Sequence, residues 1–250
     1  MASGYAIQEA AIGLWQDSIA GWKVGLVPLI EQEALGTTRL AGPIFQRSVA
    51  HAARGANPVR LAAIAGGFAA IEVELVAAAG SDAQPDKTHW SLEEAAALVG
   101  DWHLGMEFAA SPLARINDLG AAVTAADFGN NSGLIIGPRL DGALVADPAN
   151  VICRATIDAK QVGYACAAPL PGGPLEAFRF LLGHLAARGR PLRAGQWVST
   201  GAITGVHRVF PGQEASAELV GRERIEVVVL AAAPSQGPRS STDHFRRRND

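Results

Sequence analysis

Three glutamates and one lysine stand in stretches that are otherwise apolar or small. Ala70-Ile71-Glu72-Val73-Glu74-Leu75-Val76 alternates strictly, placing Ile71, Val73 and Leu75 on one face of a strand and both glutamates on the other. Two residues apart, the glutamates have Cα atoms roughly 6.5 to 7 Å apart, close enough for both carboxylates to reach a single ion. Mg²⁺ or Mn²⁺ suits such oxygen ligands, and Mg²⁺ retains waters that a substrate can displace. Glu-x-Glu alone also describes a half-exposed strand with two solvated acids. The third acid bears on that choice. Glu107 lies in the apolar run from Leu104 to Phe108, where an unpaired carboxylate is costly to bury, so it needs a metal, a lysine or an arginine. Lys23, within Trp22-Lys23-Val24-Gly25-Leu26, poses the same question from the cationic side. Either it snorkels to water, or it points into a site, where it holds an anionic group or shuttles a proton once burial and a metal lower its pKa.

These side chains need strands to carry them, and the chain supplies strand signals throughout. Gly21–Leu26, Ala70–Val76, Leu104–Phe108 and Gly133–Gly137 read as strands, and Val151–Ile157 with Val162–Ala167 as a hairpin about Asp158-Ala159-Lys160-Gln161. Val198, Ile203 and the run Ile225–Leu230 continue strand and turn. Helices are fewer. Ala6, Ile7, Ala10, Ala11, Leu14 and Trp15 recur at helical spacing and predict an N-terminal helix with that face in the core. Ser91-Leu92-Glu93-Glu94 forms a capping box that starts a helix running to about Val99, and Pro174 opens another that Gly189 stops. Between Arg39 and Pro58, Gly42-Pro43 and Gly55-Ala56-Asn57-Pro58 mark turns in a covering segment. Strands outnumber helices and do not alternate regularly with them, so the fold class is α+β, a mixed and mainly antiparallel architecture rather than a doubly wound sheet.

The chain has 250 residues, of which 49% are hydrophobic and 18% charged, a folded globular composition large enough for a full core. One domain is expected over residues 1–233, with a helical cap region to about 60 and the strand core beyond it. From Pro234 the sequence turns to Ser, Gly, Pro and charge and reads as a disordered tail. A net charge of −3 gives no basic field for nucleic acid. No apolar run is long enough to span a bilayer, and the N-terminus has no secretory pattern. Cys153 and Cys166 read as reduced thiols, and a cytoplasmic location is expected.

In order, Tyr5-Ala6-Ile7-Gln8, Gly21–Leu26, Glu72-Val73-Glu74-Leu75, Glu107, Ala126-Asp127, Ser132–Gly137, Pro174–Leu182, Gly195 and Ser199-Thr200-Gly201-Ala202 resemble the blocks of the 2-keto-4-pentenoate hydratase and 4-oxalocrotonate decarboxylase group of the fumarylacetoacetate hydrolase superfamily. Each block is short; their shared order over about residues 5–230 is what is specific. The resemblance implies a fumarylacetoacetate hydrolase-like β-roll with peripheral helices, assembled as a homo-oligomer. It implies Glu72, Glu74 and Glu107 as metal ligands, Lys23 as the active-site lysine, and Thr200 with Gly201 as contacts to the substrate carboxylate. Asp127 and Asn131 fall in its substrate-binding segment. The implied activity is that of a lyase on small 2-hydroxydienoic or 2-oxo acids, a hydratase or a decarboxylase, through an enolate that Mg²⁺ or Mn²⁺ stabilises. A non-catalytic relative that binds a 2-oxo acid is the alternative from another class.

The departures from that pattern cluster around the expected pocket. Ile44, in Gly42-Pro43-Ile44-Phe45, stands where the hydratases carry an acid. Ala110-Ser111-Pro112 replaces an Asp-Ser-Arg segment, Phe128 replaces an asparagine, and Asn130 and Asn131 stand where serines are usual. The substrate is therefore expected to differ from the dienoates of aromatic degradation. His51, which follows the Ile44 segment, is the candidate substitute for the lost acid or base.

Overall fold

The computed structural model describes residues 1–53 and 55–233. The expected tail, 234–250, lies outside the described residues. Thirteen strands are present among them: β1 Ile19–Leu26, β2 Arg39–Phe45, β3 Val49–His51, β4 Val59–Ala63, β5 Phe68–Ala79, β6 Val99–Ser111, β7 Asn131–Leu140, β8 Ile152–Ile157, β9 Lys160–Cys166, β10 Trp197–Ser199, β11 Val206–Arg208, β12 Glu214–Leu219 and β13 Glu223–Ala231. The helices are α1 Ala2–Leu14, α2 Leu29–Leu35, α3 Leu92–Leu98, α4 Ala121–Ala126, α5 Gly142–Val145 and α6 Gly173–Ala187.

The strands form two sheets. The larger has the order β2-β1-β10-β5-β6-β7-β3, with β11 also pairing β5; the smaller has the order β4-β13-β12-β8-β9. Ile71, Val73 and Leu75 of β5, Leu104, Met106 and Phe108 of β6, and Ile135 of β7 point from the larger sheet toward Cys153 and Ala155 of β8, Ala217 of β12 and Ile225 and Val227 of β13. This apolar layer is the main core, and its burial is the dominant favourable term in folding. A second core packs Phe178, Leu181, Leu182 and Leu185 of α6 against Trp22 and Val24 of β1 and Val198 of β10.

The expectation of a mainly antiparallel architecture is corrected, because both sheets are mixed. β1 runs parallel to β10 and β3 to β7 in the larger sheet, and β4 runs parallel to β13 in the smaller. Each parallel pair joins strands far apart in sequence. Hairpin signals report only local, antiparallel neighbours.

The segment from Arg39 is not merely a cover. Its first seven residues form β2, all buried, antiparallel to β1. Pro43 sits within that strand, which is tolerable because β2 is at the sheet edge, where a missing N–H costs no ladder bond. β1, β2 and β3 all belong to the same sheet as β5, so the sheet runs across the expected boundary near residue 60.

The buried face of α1 also differs from the expected one. Gly4, Gln8 and Ile12 are buried, whereas Ile7 and Leu14 are exposed at 59% and 84%. Gln8 donates from Nε2 to the carbonyls of Ala41 (3.0 Å) and Ala125 (2.6 Å), fastening α1 to β2 and α4. Gly4 lets the helix backbone approach Ala122, since a Cβ there would collide with that residue's carbonyl oxygen. Small residues and one bridging amide, which hydrophobic periodicity does not count, choose this face.

The other local expectations hold. Ser91 and Glu94 form the capping box of α3, β8 and β9 form the hairpin, and α6 spans the predicted helix. No helix among the described residues is long and apolar enough to cross a membrane.

Candidate metal centre

Strand register brings the charged residues together. Glu72 of β5 lies opposite Glu107 of β6, and Glu74 lies opposite Gly105. Directly paired residues share a face, so all three carboxylates project from the side of the larger sheet opposite the main core. The absence of a side chain at Gly105 makes room for Val76, whose Cγ2 a Cβ there would strike. Lys23 of β1 pairs with Ser199 of β10, and Ser199 with Val76 of β5, which places Lys23 and Ser199 on that same face.

Glu72, Glu74 and Glu107 each offer a carboxylate oxygen, and these oxygens lie within 4.8 Å of one another. Glu74 and Glu107 are fully buried and Glu72 nearly so. Lys23 Nζ lies 3.1 Å from Glu107 Oε1, and Asn131 donates to the same oxygen at 3.2 Å. Glu74 Oε2 accepts from the Ser199 hydroxyl and from the Gly201 backbone N–H at 2.9 Å. The remaining oxygens, Glu74 Oε1 and Glu107 Oε2, are buried and without a hydrogen-bond partner.

Burial and mutual repulsion set the charge state. Desolvation, with Glu107 adding repulsion and Lys23 opposing it, pushes the Glu72 carboxyl up to about 7. Glu74 is held well above the carboxylate range by desolvation and by the charges of Glu107 and Glu72. For Lys23, burial works downward, but attraction to Glu107, Glu72 and Glu74 outweighs it and holds the ammonium above its ordinary value. The lowering anticipated from the sequence required burial and a metal together; with the three acids free of a cation, their attraction outweighs burial. With the three carboxylates in this state, Lys23 is held in its charged form.

Three carboxylates facing one ammonium, with two oxygens unsatisfied, are poorly compensated by the protein alone. An all-oxygen set of this kind fits Mg²⁺ or Mn²⁺.

A cavity of about 330 Å³ opens beside the cluster, lined by Lys23, Glu72, Thr200 and Gly201 together with Arg39, Leu40, Asn117, Asn130 and Leu170. Thr200 and Gly201, the expected substrate contacts, are part of this lining. Their donors are already engaged, the Thr200 hydroxyl with the Leu75 carbonyl at 2.7 Å and the Gly201 N–H with Glu74. Gly201 fixes Glu74, Thr200 ties the loop to β5, and both line the wall.

Asp127 and Asn131 line a different, larger cavity with Trp15, Phe45 and Phe128. Asn131 reaches the cluster through Glu107, whereas Asp127 does not line the cavity beside Lys23. His51 is on the edge strand β3, its ring 5.9 Å from that of Trp197, and is likewise absent from the lining of the Lys23 cavity among the described residues. Ile44 is buried with Val76, Leu134 and Ile136, away from the cavity; the β2 residues that line it are Arg39 and Leu40.

The loop before β7 presses on the site. Phe128, Gly129 and Asn130 all have left-handed φ, of 53°, 70° and 68°. Strain of this kind persists only where the surroundings enforce it. Here the Phe128 carbonyl occupies the space a Cβ on Gly42 would need, and Lys23 Cδ lies 2.9 Å from where a Cβ on Gly129 would stand. Asn130 donates to Asn117 Oδ1 at 3.0 Å, and its own Oδ1 is buried without a partner.

Sequence reasoning missed the roles of Ser199, Asn117 and Arg39. Arg39 was open to detection by the argument applied to Lys23, as a lone cation at the head of an apolar run.

No protein-family model matches the chain, and no curated protein sequence matches it. Solved structures do. The chain is similar to 4-oxalocrotonate decarboxylase from Pseudomonas putida G7, in its complex with magnesium and adipate, at a TM-score of 0.73 and 19% identity over 92% of this chain and 86% of that one. It is similar to fumarylpyruvate hydrolase from Pseudomonas aeruginosa, in complex with Mn²⁺ and pyruvate, at a TM-score of 0.62 and 20% identity over 84% of this chain and 88% of that one. A yeast fumarylacetoacetate hydrolase family protein matches at a TM-score of 0.60 and 13% identity, over 85% and 94% of the two chains. The chain therefore has the fumarylacetoacetate hydrolase fold, as its sequence blocks implied.

Proposed function

We propose that this protein is a divalent-metal-dependent lyase of the 2-keto-4-pentenoate hydratase and 4-oxalocrotonate decarboxylase group, acting on small 2-hydroxydienoic or 2-oxo acids. The observation that carries the proposal is the buried cluster of Glu72, Glu74 and Glu107, in which two carboxylate oxygens lack any partner. The similar decarboxylase and hydrolase structures contain magnesium and Mn²⁺ respectively, which agrees with a hard cation for this donor set.

The three glutamates would hold the cation. When bound, it supplies the positive charge that polarises a 2-oxo group. The chain's own residues do the rest. Ser199 and the Gly201 N–H hold Glu74 Oε2, leaving Oε1 free to ligate. Lys23, beside Glu107 at the cavity wall, would present an ammonium suited to a substrate carboxylate or a developing oxyanion. Leu40, Leu170, Gly129 and Asn130 wall the cavity beside the cluster.

Decarboxylation is better supported than hydration. Adding water across a double bond calls for a group that activates the water and another that delivers a proton. Among the described lining residues no histidine is present, and the only acid is Glu72, a member of the cluster itself. Loss of CO₂ needs chiefly an electron sink, which a polarised 2-oxo group provides. Hydration remains the second reading through its resemblance. We further propose a homo-oligomer, consistent with exposed Leu29 and Ile30 on α2 and exposed Leu14 on α1.

The test is mass spectrometry of products after incubation with 2-oxohex-3-enedioate, with Mg²⁺ and with a chelator. Metal-dependent loss of CO₂ is expected, and added water would establish hydratase activity. An unchanged substrate under both conditions would count against both readings.

A further inference from the structure

The loop 127–131 has a cavity on either side. Gly129 and Asn130 line the one beside Lys23, whereas Asp127, Phe128 and Asn131 line another, of about 900 Å³. This second cavity is bounded by the ends of α1 and β2 and by the edge strands β3 and β4. Its volume is in the range of small-molecule clefts.

The wall of this cavity is largely apolar. The ring centroids of Trp15, Phe45 and Phe128 lie 5.1 to 5.4 Å from one another, and Leu61, Phe108 and Ile135 extend the lining. Trp15 is 53% exposed, so a large flat ring there still has area to bury against a ligand. The opening is cationic. Arg47 and Arg60 both line the cavity and are exposed, and among the described residues no carboxylate lies within ion-pair distance of either guanidinium. The acids of the same wall are directed elsewhere. Asp17 accepts from the backbone N–H groups of Ser18 and Arg47, each at 2.9 Å, and Asp127 has its Oδ2 buried.

We propose that this cavity is a second binding site, separate from the metal centre, for a carboxylate with an aromatic body. The rings and aliphatic side chains receive the body, and Arg47 and Arg60 receive the carboxylate, whose geometry matches the paired N–H donors of a guanidinium. Phe128 forms part of this site and its neighbours Gly129 and Asn130 wall the other cavity, so one loop borders both ligands.

The experiment is calorimetric titration of the full chain with 2-naphthoate and with 2-naphthamide, its uncharged counterpart. Chelator is present throughout, so that no metal at the glutamates draws the carboxylate there. The naphthoate should bind about fivefold or more tightly than the amide, as two partly exposed ion pairs allow, and the gap should narrow with added salt. Arg47→Gln combined with Arg60→Gln should remove the preference and leave the affinity for the amide unchanged. Trp15→Ala should weaken both compounds. All three side chains are exposed, so these variants should fold. Absence of binding, or equal affinities for acid and amide in the wild type, would overturn the proposal. A preference that survives in the double arginine variant would also overturn it, since the anion would then be held elsewhere, as at Lys23. Naphthoate affinity that rises on dilution, in step with dissociation of an oligomer, would assign the cavity to a second copy of the chain and overturn it as well.

Discussion

Glu72 is destabilising when ionised in the metal-free protein, and replacing it by glutamine should make the fold more stable. Its folded pKa is raised from about 4.5 to about 7, with desolvation the main cause. A raised carboxyl pKa means that the folded state holds its proton more firmly than the unfolded chain does. Stability from that proton is full below the unfolded value and is lost as pH rises through about 7. At about 1.36 kcal/mol per unit, the loss by pH 8 amounts to about 3 kcal/mol. Glu72→Gln cannot ionise, so in chelator at pH 8 it should unfold at a higher urea concentration and melt roughly 6 to 10 °C above the wild type. At about pH 5 the advantage should largely vanish. Mg²⁺ should reverse the order, because a ligand at about 100 times its Kd adds about 2.7 kcal/mol to the chain that binds it. A variant less stable than the wild type at pH 8 in chelator would mean instead that the Glu72 charge is compensated by the protein itself.

Two further outcomes follow from the same geometry. Since Glu72 titrates at about 7 and Glu74 is also raised, Mg²⁺ affinity measured by calorimetry should fall by about tenfold or more for each pH unit below 7; a flat profile between pH 8 and pH 6 would contradict the charge states described. Gly42→Ala should collide with the Phe128 carbonyl and cost about 1–3 kcal/mol in urea unfolding, with metal binding weakened as the loop over Lys23 shifts, whereas an unperturbed variant would show that this approach is not needed.

Much of the site was legible because strands obey a period of two. Alternation around Glu72 and Glu74 assigned both acids to one face, and the cost of burying Glu107 called for a partner, which the structure supplies as Lys23. The capping box at Ser91 and the hairpin at Asp158 were readable for a similar reason, since both are local. What escaped is non-local. The parallel pairs β1–β10, β3–β7 and β4–β13 join segments whose sequences give no sign of each other. The buried face of α1 depends on Gln8 finding carbonyls at Ala41 and Ala125, a match visible only once the chain is folded. The same holds for His51 and Asp127, close to the site in expectation and outside its cavity in the fold. The direction of the Lys23 shift depends on how many acids surround it, a count that strand register supplies and sequence spacing does not.

Whether Glu72, Glu74 and Glu107 hold a divalent metal is open to direct measurement. Anomalous diffraction from crystals grown with Mn²⁺ tests it most directly. One strong peak is expected between the three carboxylates, with oxygens at about 2.1 Å, including Glu74 Oε1 and Glu107 Oε2. A map without that peak, with Lys23 still on Glu107 and Mn²⁺ absent or bound elsewhere, would contradict it.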